Sequence, residues 1–206
     1  NGVWQIGTPT TGPGSARSGT KVVATNLTGN YYPQTDSYLI SPELDLPAVS
    51  GDERLEFRFW HWFDYNGVDG YDKGRVQISV WDGAAWGTWT TLATPVDAHA
   101  GYHYYEEYRF YNSGWTRCSV PLTSYAGQRI RLAFYHTAAQ SNGSNGSRSG
   151  WYIDDVEIWK GIPSLPSPEG FEDGLGDWRA SNGVWQIGTP TTGPGSARSG
   201  TKVVAT

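Results

Sequence analysis

The chain has 206 residues, a formal net charge of −5 at pH 7, 27 glycines, 12 prolines and one cysteine. The acidic balance argues against nucleic-acid binding, which needs a basic face for phosphate contacts, and a single cysteine excludes a disulfide within the chain. No run approaches the roughly 18 apolar residues that a membrane helix requires.

The first 25 residues, NGVWQIGTPTTGPGSARSGTKVVAT, return letter for letter as residues 182–206. The offset, 182 − 1 = 181 residues, is the size of one ordinary domain. The duplication therefore predicts an array of domain-sized modules with a 181-residue period, since solenoid repeats are much shorter. Such an array spans a distance or repeats a binding site, so it favours a structural or adhesive role over a single-site enzyme.

Alternation of apolar and polar residues dominates the module, and no segment has a helical period. In residues 55–63, for example, Phe57, Phe59 and His61 share one face, and Trp60 and Trp62 point the other way. The strands predicted in this way are 3–6, 21–25, 38–41, 55–63, 75–80, 89–92, 104–110, 115–120, 129–136 and 152–159. Strands with one buried face each predict an all-β jelly-roll sandwich of two antiparallel sheets.

Residues 161–170 carry three prolines in ten positions and predict a short, semi-rigid linker. The domain prediction is therefore a module over 1–160, a linker over 161–170 and the opening strands of the next repeat over 171–206. No counterpart of residues 171–181 precedes Asn1, so we expect the chain to begin within a module. Residues 171–206 are too few to bury a core alone. We expect them to pair with the same module or, by strand donation, with a neighbouring chain.

Buried roles are expected for the cysteine and for two of the four histidines. Alternation places Cys118 with Val120 and Leu122, which predicts an inert buried thiol. It likewise places His61 and His136 with the core residues, which predicts hydrogen-bonded core histidines.

Several segments, in this order, resemble one family. They are GSARSGTKVVATNLTGNYYPQTDSYLISPELDLP (14–47), LEFRFWHWFDYN with DKGRVQISVWDG (55–83), LTSYAGQRIRLAFYHTA (122–138) and GWYIDDVEI (150–158), with FEDGLGDW (171–178) opening the following copy. The chain resembles the MAM-like or choice-of-anchor J group, which is similar to cleaved-adhesin domains and to β-sandwich modules of secreted peptidases. The resemblance implies a secreted or surface-exposed, bacterial, non-catalytic jelly roll, often with a structural calcium ion.

The resemblance also implies where calcium binds. Members of the group tend to hold the ion between an acidic opener and an acidic last strand, which here are Glu172 and Asp173, and Asp154 and Asp155. Carboxylates suit calcium, a hard cation that prefers oxygen ligands. Alternation places Asp154 on the core face with Val156 and Ile158, where a carboxylate needs a partner. The alternative is that backbone donors or an arginine satisfy Asp154 without a metal.

A cluster of aromatic residues in the middle of the module suggests a second kind of site. Flat rings on an outward face stack on sugar rings, as in carbohydrate-binding modules. The candidate ligand-binding residues are Trp60, Trp62, Tyr65, Tyr102 and Tyr104. The alternative is that these rings cover core edges and contacts between modules, since aromatic side chains bury large areas.

No metallopeptidase, serine-hydrolase or nucleotide-binding motif is present, so we expect no catalysis. The first functional hypothesis is an extracellular, calcium-stabilised repeat module of a large bacterial adhesin or fibre. Its partners would be neighbouring repeats or identical chains, head to tail. The second is a carbohydrate-binding accessory module of a secreted hydrolase or peptidase. A domain attached to a secreted metallopeptidase is a third possibility.

Overall fold

The computed structural model describes residues 2–66, 72–97, 109–112, 114–138, 147–163, 169–172, 174, 178 and 185–206. The chain divides into two compact units, Asn1–Lys160 and Gly161–Thr206. Within the described ranges, no helix is both long enough and apolar enough to cross a membrane.

The described elements are almost entirely β-strands. The first unit contains β1 (Gln5–Gly7), β2 (Val22–Ala24), β3 (Thr35–Ile40), β4 (Leu44–Asp45), β5 (Arg54–Asn66), β6 (Lys73–Val80), β7 (Thr90–Asp97), β8 (Arg109–Tyr111), β9 (Thr116–Pro121), β10 (Arg129–Ala138) and β11 (Gly150–Gly161). The second unit contains β12 (Gln186–Gly188) and β13 (Val203–Ala205). A short 3₁₀ turn, Thr123–Tyr125, follows β9.

The strands of the first unit form two antiparallel sheets. In the sheet that we call sheet A, the order is β1-β2-β11-β5, and β8 and β9 both pair with β5. In sheet B the order is β3-β10-β6-β7, and β4 also pairs with β10. Strands close in sequence, such as β5 and β6, lie in different sheets, so the chain crosses repeatedly between layers. The fold class is the predicted all-β jelly-roll sandwich.

The core lies between the two sheets and follows the alternation seen in the sequence. On β5, Leu55, Phe57 and Phe59 are at most 4% exposed. On β10, Ile130 and Leu132 are equally enclosed. Phe134 packs against both Phe57 and Phe59. The predicted core faces of these strands are therefore confirmed.

Both predicted core histidines are buried and hydrogen-bonded. The Trp151 indole N–H donates to His61 Nδ1 over 3.3 Å, and the hydroxyl of Tyr65 lies 2.6 Å from His136 Nδ1. Burial disfavours the charged imidazolium and lowers the pKa of each histidine to about 3. These histidines therefore act as neutral members of the core.

Cys118 is less enclosed than the sequence predicted. Its side chain is half-buried and packs against the edge of the core. The reason is the position of β9, whose described strand partner is β5 alone.

The two histidines predict a loss of stability in mild acid. Their folded-state pKa of about 3 lies below the ordinary 6.5, so the unfolded chain takes up protons first as the pH falls. The free energy of unfolding should therefore fall between pH 6.5 and pH 5, by up to about 1.4 kcal/mol per pH unit for each histidine. Urea unfolding across this range measures the slope. A constant free energy of unfolding over the same range would contradict the assignment.

Candidate functional site

The acidic pair on β11 lies where the strand departs from regular alternation. Asp155 has a positive φ of 46°, which is uncommon for a residue other than glycine. Ile153 and Ile158 both pack on the core although they are five residues apart. An irregular residue between them reverses the side-chain pattern. The expectation that Asp154 and Val156 face the core is thus wrong: Asp154 is half-buried on the outer face, and Val156 is 51% exposed. The expectation for Ile158 is confirmed.

Asp154 binds the backbone of the loop that joins β1 to β2. Its Oδ2 accepts hydrogen bonds from the backbone N–H groups of Arg17 (2.9 Å) and Ser18 (3.2 Å). Its Oδ1 accepts one from the backbone N–H of Asp155 (2.8 Å). The Ser18 hydroxyl donates to Asp155 Oδ1. Backbone N–H groups thus bind both carboxylate oxygens of Asp154.

The same loop covers the outer face of sheet A. The Arg17 guanidinium lies 4.2 Å from the ring centroid of Trp60, and the indole N–H of Trp115 donates to the Ser15 carbonyl. At Gly12, a Cβ would lie 2.5 Å from ring atoms of Tyr152, and φ is +67°. Glycine is required here by both close approach and conformation.

The predicted aromatic ligand-binding group does not form one exposed platform in the described part of the chain. Tyr65 is fully buried and bonded to His136, because it shares the inward alternation of β5. Trp60 is half-buried beneath Arg17. Trp62 is half-buried with its ring edge-on to Tyr152, 5.5 Å between centroids. Tyr102 and Tyr104 lie outside the described residues.

The acidic opener is seen in the second unit, where Glu172 also binds backbone donors. Its Oε1 accepts hydrogen bonds from the backbone N–H groups of Thr201 (2.9 Å) and Lys202 (2.8 Å), and its Oε2 accepts one from the Thr201 hydroxyl (2.9 Å). These backbone bonds are the main cause that lowers the pKa of Glu172. Asp173 lies outside the described residues.

The two acidic groups recognise neighbouring parts of one repeated loop sequence. Thr201 and Lys202 are the copies of Thr20 and Lys21, which follow closely on the Arg17 and Ser18 that Asp154 binds. Each contact is seen in a separate unit. The two carboxylates thus bind different positions of two copies of the same sequence, GSARSGTK.

The described residues offer only part of a calcium site. Calcium takes six to eight oxygen ligands, and Asp154 and Asp155 contribute two adjacent carboxylates. Within the described ranges, no group of three or more His, Cys, Asp or Glu side chains is placed to hold a metal ion. Calcium binding therefore stays a prediction.

The outer face of sheet B carries an aromatic group that the sequence analysis did not select. Tyr135 stacks on Tyr38 with 4.2 Å between ring centroids, and Tyr38 also stacks on Trp89 at 5.8 Å. We call Tyr38, Trp89 and Tyr135 the aromatic face. Its polar neighbours include Arg75, whose guanidinium lies over the Tyr135 ring. The sequence could have indicated part of this face, because alternation in residues 129–136 places Tyr135 on the side of the strand opposite the core.

A buried amide lies close to the aromatic face. Gln77 pairs with Ala133 across β6 and β10 and is only 7% exposed. Its Nε2 donates to the Thr91 hydroxyl, and its Oε1 has no hydrogen-bond partner within the described structure. A buried acceptor of this kind is costly unless a donor reaches it.

Comparison with known proteins gives one curated relative, and no family model matches the chain. Bacillopeptidase F of Bacillus subtilis (strain 168) is 34% identical over 161 residues, or 77% of this chain. The chain spans 9% of the length of that relative.

Solved structures with a similar fold include adhesin domains. The K1 cleaved adhesin domain of Lys-gingipain from Porphyromonas gingivalis W83 has a TM-score of 0.45 and 22% identity, covering 76% of this chain and 82% of its own. The K3 cleaved adhesin domain has a TM-score of 0.41 and 20% identity, covering 77% and 92%.

Proposed function

We propose that this chain is a non-catalytic, MAM-like module of a larger secreted or cell-surface bacterial protein, and that it serves adhesion or assembly. The observation that carries the proposal is the duplicated segment. Residues 1–25 and 182–206 are identical, and both form the same pair of short strands. Copying of this kind multiplies a binding or spacing unit.

The relative in Bacillus subtilis supports a modular role. The chain matches 9% of that protein, which is the proportion expected of one accessory module in a long polypeptide. We propose, in line with this modular role, that the present chain lies outside the cell and has no catalytic activity.

Calcium is the proposed stabilising ion. Asp154 and Asp155 on β11, with Glu172 and Asp173 from an opener, would hold it beside the repeated loop. Bound there, the ion would neutralise the carboxylates and tie the loop to the last strand. The support is that Asp154 and Glu172 bind neighbouring positions of the same loop sequence, each within its own unit.

Calcium addition tests this part of the proposal. We expect ~10 mM calcium to raise the melting temperature of the chain by about 5 °C relative to EDTA, because an ion bound only by the folded state stabilises it. Asp155→Asn should abolish the increase. Glu157→Gln, at an exposed position of the same strand, should retain it. Equal melting temperatures of the unmodified chain in calcium and EDTA would contradict calcium binding.

Glycan recognition is a second candidate function, and the aromatic face favours it. Tyr38 is 36% exposed, and aromatic rings bordered by polar groups suit sugar rings, which have apolar faces and hydroxyl edges. The guanidinium of Arg75 and the carboxylate of Asp36 lie beside Tyr135 and supply polar groups next to the rings. This site replaces the one predicted around Trp60 and Tyr65.

Adhesion and glycan recognition are separated by one experiment. The chain is displayed on cells of a non-adherent laboratory bacterium, and the cells retained under flow on mucin-coated glass are counted. The number retained should be at least about tenfold higher than for cells without the chain, because many displayed copies bind at once. Tyr38→Ala should remove most of this retention. Tyr32→Ala, which changes an exposed tyrosine outside the aromatic face, should leave it unchanged.

The possible failures have different meanings. If displaying and undecorated cells are retained equally, adhesion to this surface is wrong. If Tyr38→Ala is retained as well as the unmodified chain, adhesion stands and the aromatic face is not the glycan site.

A further inference from the structure

The aromatic face belongs to one row of paired residues across sheet B. Tyr135 on β10 pairs with Tyr38 on β3 and, on its other side, with Arg75 on β6. Paired residues point to the same side of a sheet, so the two stacked rings and the guanidinium share the outer face. The Arg75 guanidinium lies 5.4 Å from the ring centroid of Tyr135. The row therefore joins a flat apolar surface to a positive charge.

A carboxylate lies at the β3 side of the same rings. Asp36 precedes Tyr38 by two positions on β3, so both side chains point outwards, and Asp36 is exposed. Burial of the ring, and then the negative charge of Asp36, raise the pKa of Tyr135 to about 12. The stacked rings thus have a basic side chain on one side and an acidic side chain on the other.

The charge of Arg75 is not used in an ion pair. Its Nη1 donates to the Thr137 hydroxyl over 3.4 Å, which is a long hydrogen bond. Among the ion pairs of the described residues, none includes Arg75 or Asp36. A guanidinium carries five N–H donors, so Arg75 has donors available for a bound anion.

Polar groups under the outer face of sheet B also lack hydrogen-bond partners. Gln77 Oε1 and Arg131 Nε are buried without a partner among the described residues. Gln77 follows Arg75 by two positions on β6 and so lies on the same side of the sheet. A hydroxylated ligand and its bound water supply donors and acceptors, whereas an apolar protein surface supplies neither. These groups therefore favour a polar ligand.

The connection between β6 and β7 holds the third ring of the aromatic face. Trp81 and Trp86 form a β-bridge within it, and the Arg131 guanidinium lies 3.8 Å from the ring centroid of Trp86. These contacts attach the connection to sheet B, where Trp89 stacks on Tyr38. The rings are in place without a ligand, which lowers the ordering cost of binding.

We propose that the aromatic face binds an acidic sugar, which is a pyranose that carries a carboxylate or a sulfate group. The apolar side of the sugar ring stacks on Tyr38 and Tyr135, the anionic group binds the Arg75 guanidinium, and sugar hydroxyl groups donate to Asp36. The negative charge of Asp36 disfavours a polyanion at the same place. This inference rests on the proposed glycan recognition, and it adds the charge of the ligand and the residue that selects it.

Three soluble sugars with a common core test the charge of the ligand: lactose, sialyllactose and sulfated lactose. Calorimetric titration of the full chain measures the affinity for each sugar. At least one acidic sugar should bind about tenfold more tightly than lactose, because only an acidic sugar pairs with Arg75. The acidic sugar that binds more tightly shows whether the site prefers a carboxylate or a sulfate.

Matched variants test the role of Arg75. Arg75→Gln should reduce the affinity for the acidic sugar to that for lactose and leave the affinity for lactose unchanged. Arg54→Gln makes the same chemical change at an exposed position of β5 and should retain the tenfold preference. The melting temperature of each variant shows whether it is folded. The comparison of the three sugars uses the unmodified chain, so it holds even if a variant does not fold.

Failure of this inference differs from failure of glycan recognition. If all three sugars bind equally and Tyr38→Ala abolishes binding, the aromatic face is a glycan site and the acidic class of ligand is wrong. If Arg75→Gln keeps the preference for the acidic sugar, Arg75 does not select the ligand and the inference is overturned. If none of the three sugars binds, both the inference and glycan recognition at this face are overturned.

Discussion

The acidic pair Asp154 and Asp155 depends on one constraint: strand β11 packs into the core with one face and binds the loop between β1 and β2 with the other. Trp151 and Ile153 point into the core, and Tyr152 and Asp154 point outwards. The outer face is closed by the repeated loop, which Asp154 holds through two backbone N–H groups. Where Asp155 interrupts the alternation, the strand leaves the loop and Ile158 turns back to the core. The fold, the duplicated segment and the acidic pair therefore meet at one strand.

Coverage by the loop between β1 and β2 makes the outer face of sheet A different from the outer face of sheet B. On the outer face of sheet A, Trp60 lies beneath Arg17 and Trp62 packs against Tyr152, so both rings are covered by other side chains of the same module. On sheet B the aromatic face remains partly exposed, since Tyr38 is 36% exposed.

Alternation alone predicted the sandwich, the inward face of β5 and β10, and the burial of both histidines. It did not predict the position of Asp154, because one residue with a positive φ reverses the pattern and no sequence rule places such a residue. Tyr65 was assigned to a surface group although its parity with Phe63 places it inside. Trp60 and Trp62 do point outwards, but Arg17, from a loop about 40 residues earlier in the sequence, covers Trp60, and Tyr152 on β11 packs against Trp62. Only a tertiary structure shows these contacts. The aromatic face was missed because its residues come from separate parts of the chain: Tyr38 from β3, Tyr135 from β10, and Trp89 from the segment before β7.

The most direct test of this account is the effect of Asp154→Ala on the free energy of unfolding, measured with urea near pH 7. The account predicts a loss of about 1–2 kcal/mol, because two backbone N–H groups of the loop lose a charged acceptor. Asp52→Ala, in an exposed turn, is the control and should change the free energy by less than about 0.5 kcal/mol. If the two variants were equally stable, Asp154 would not hold the loop, and the central role assigned to β11 would be wrong.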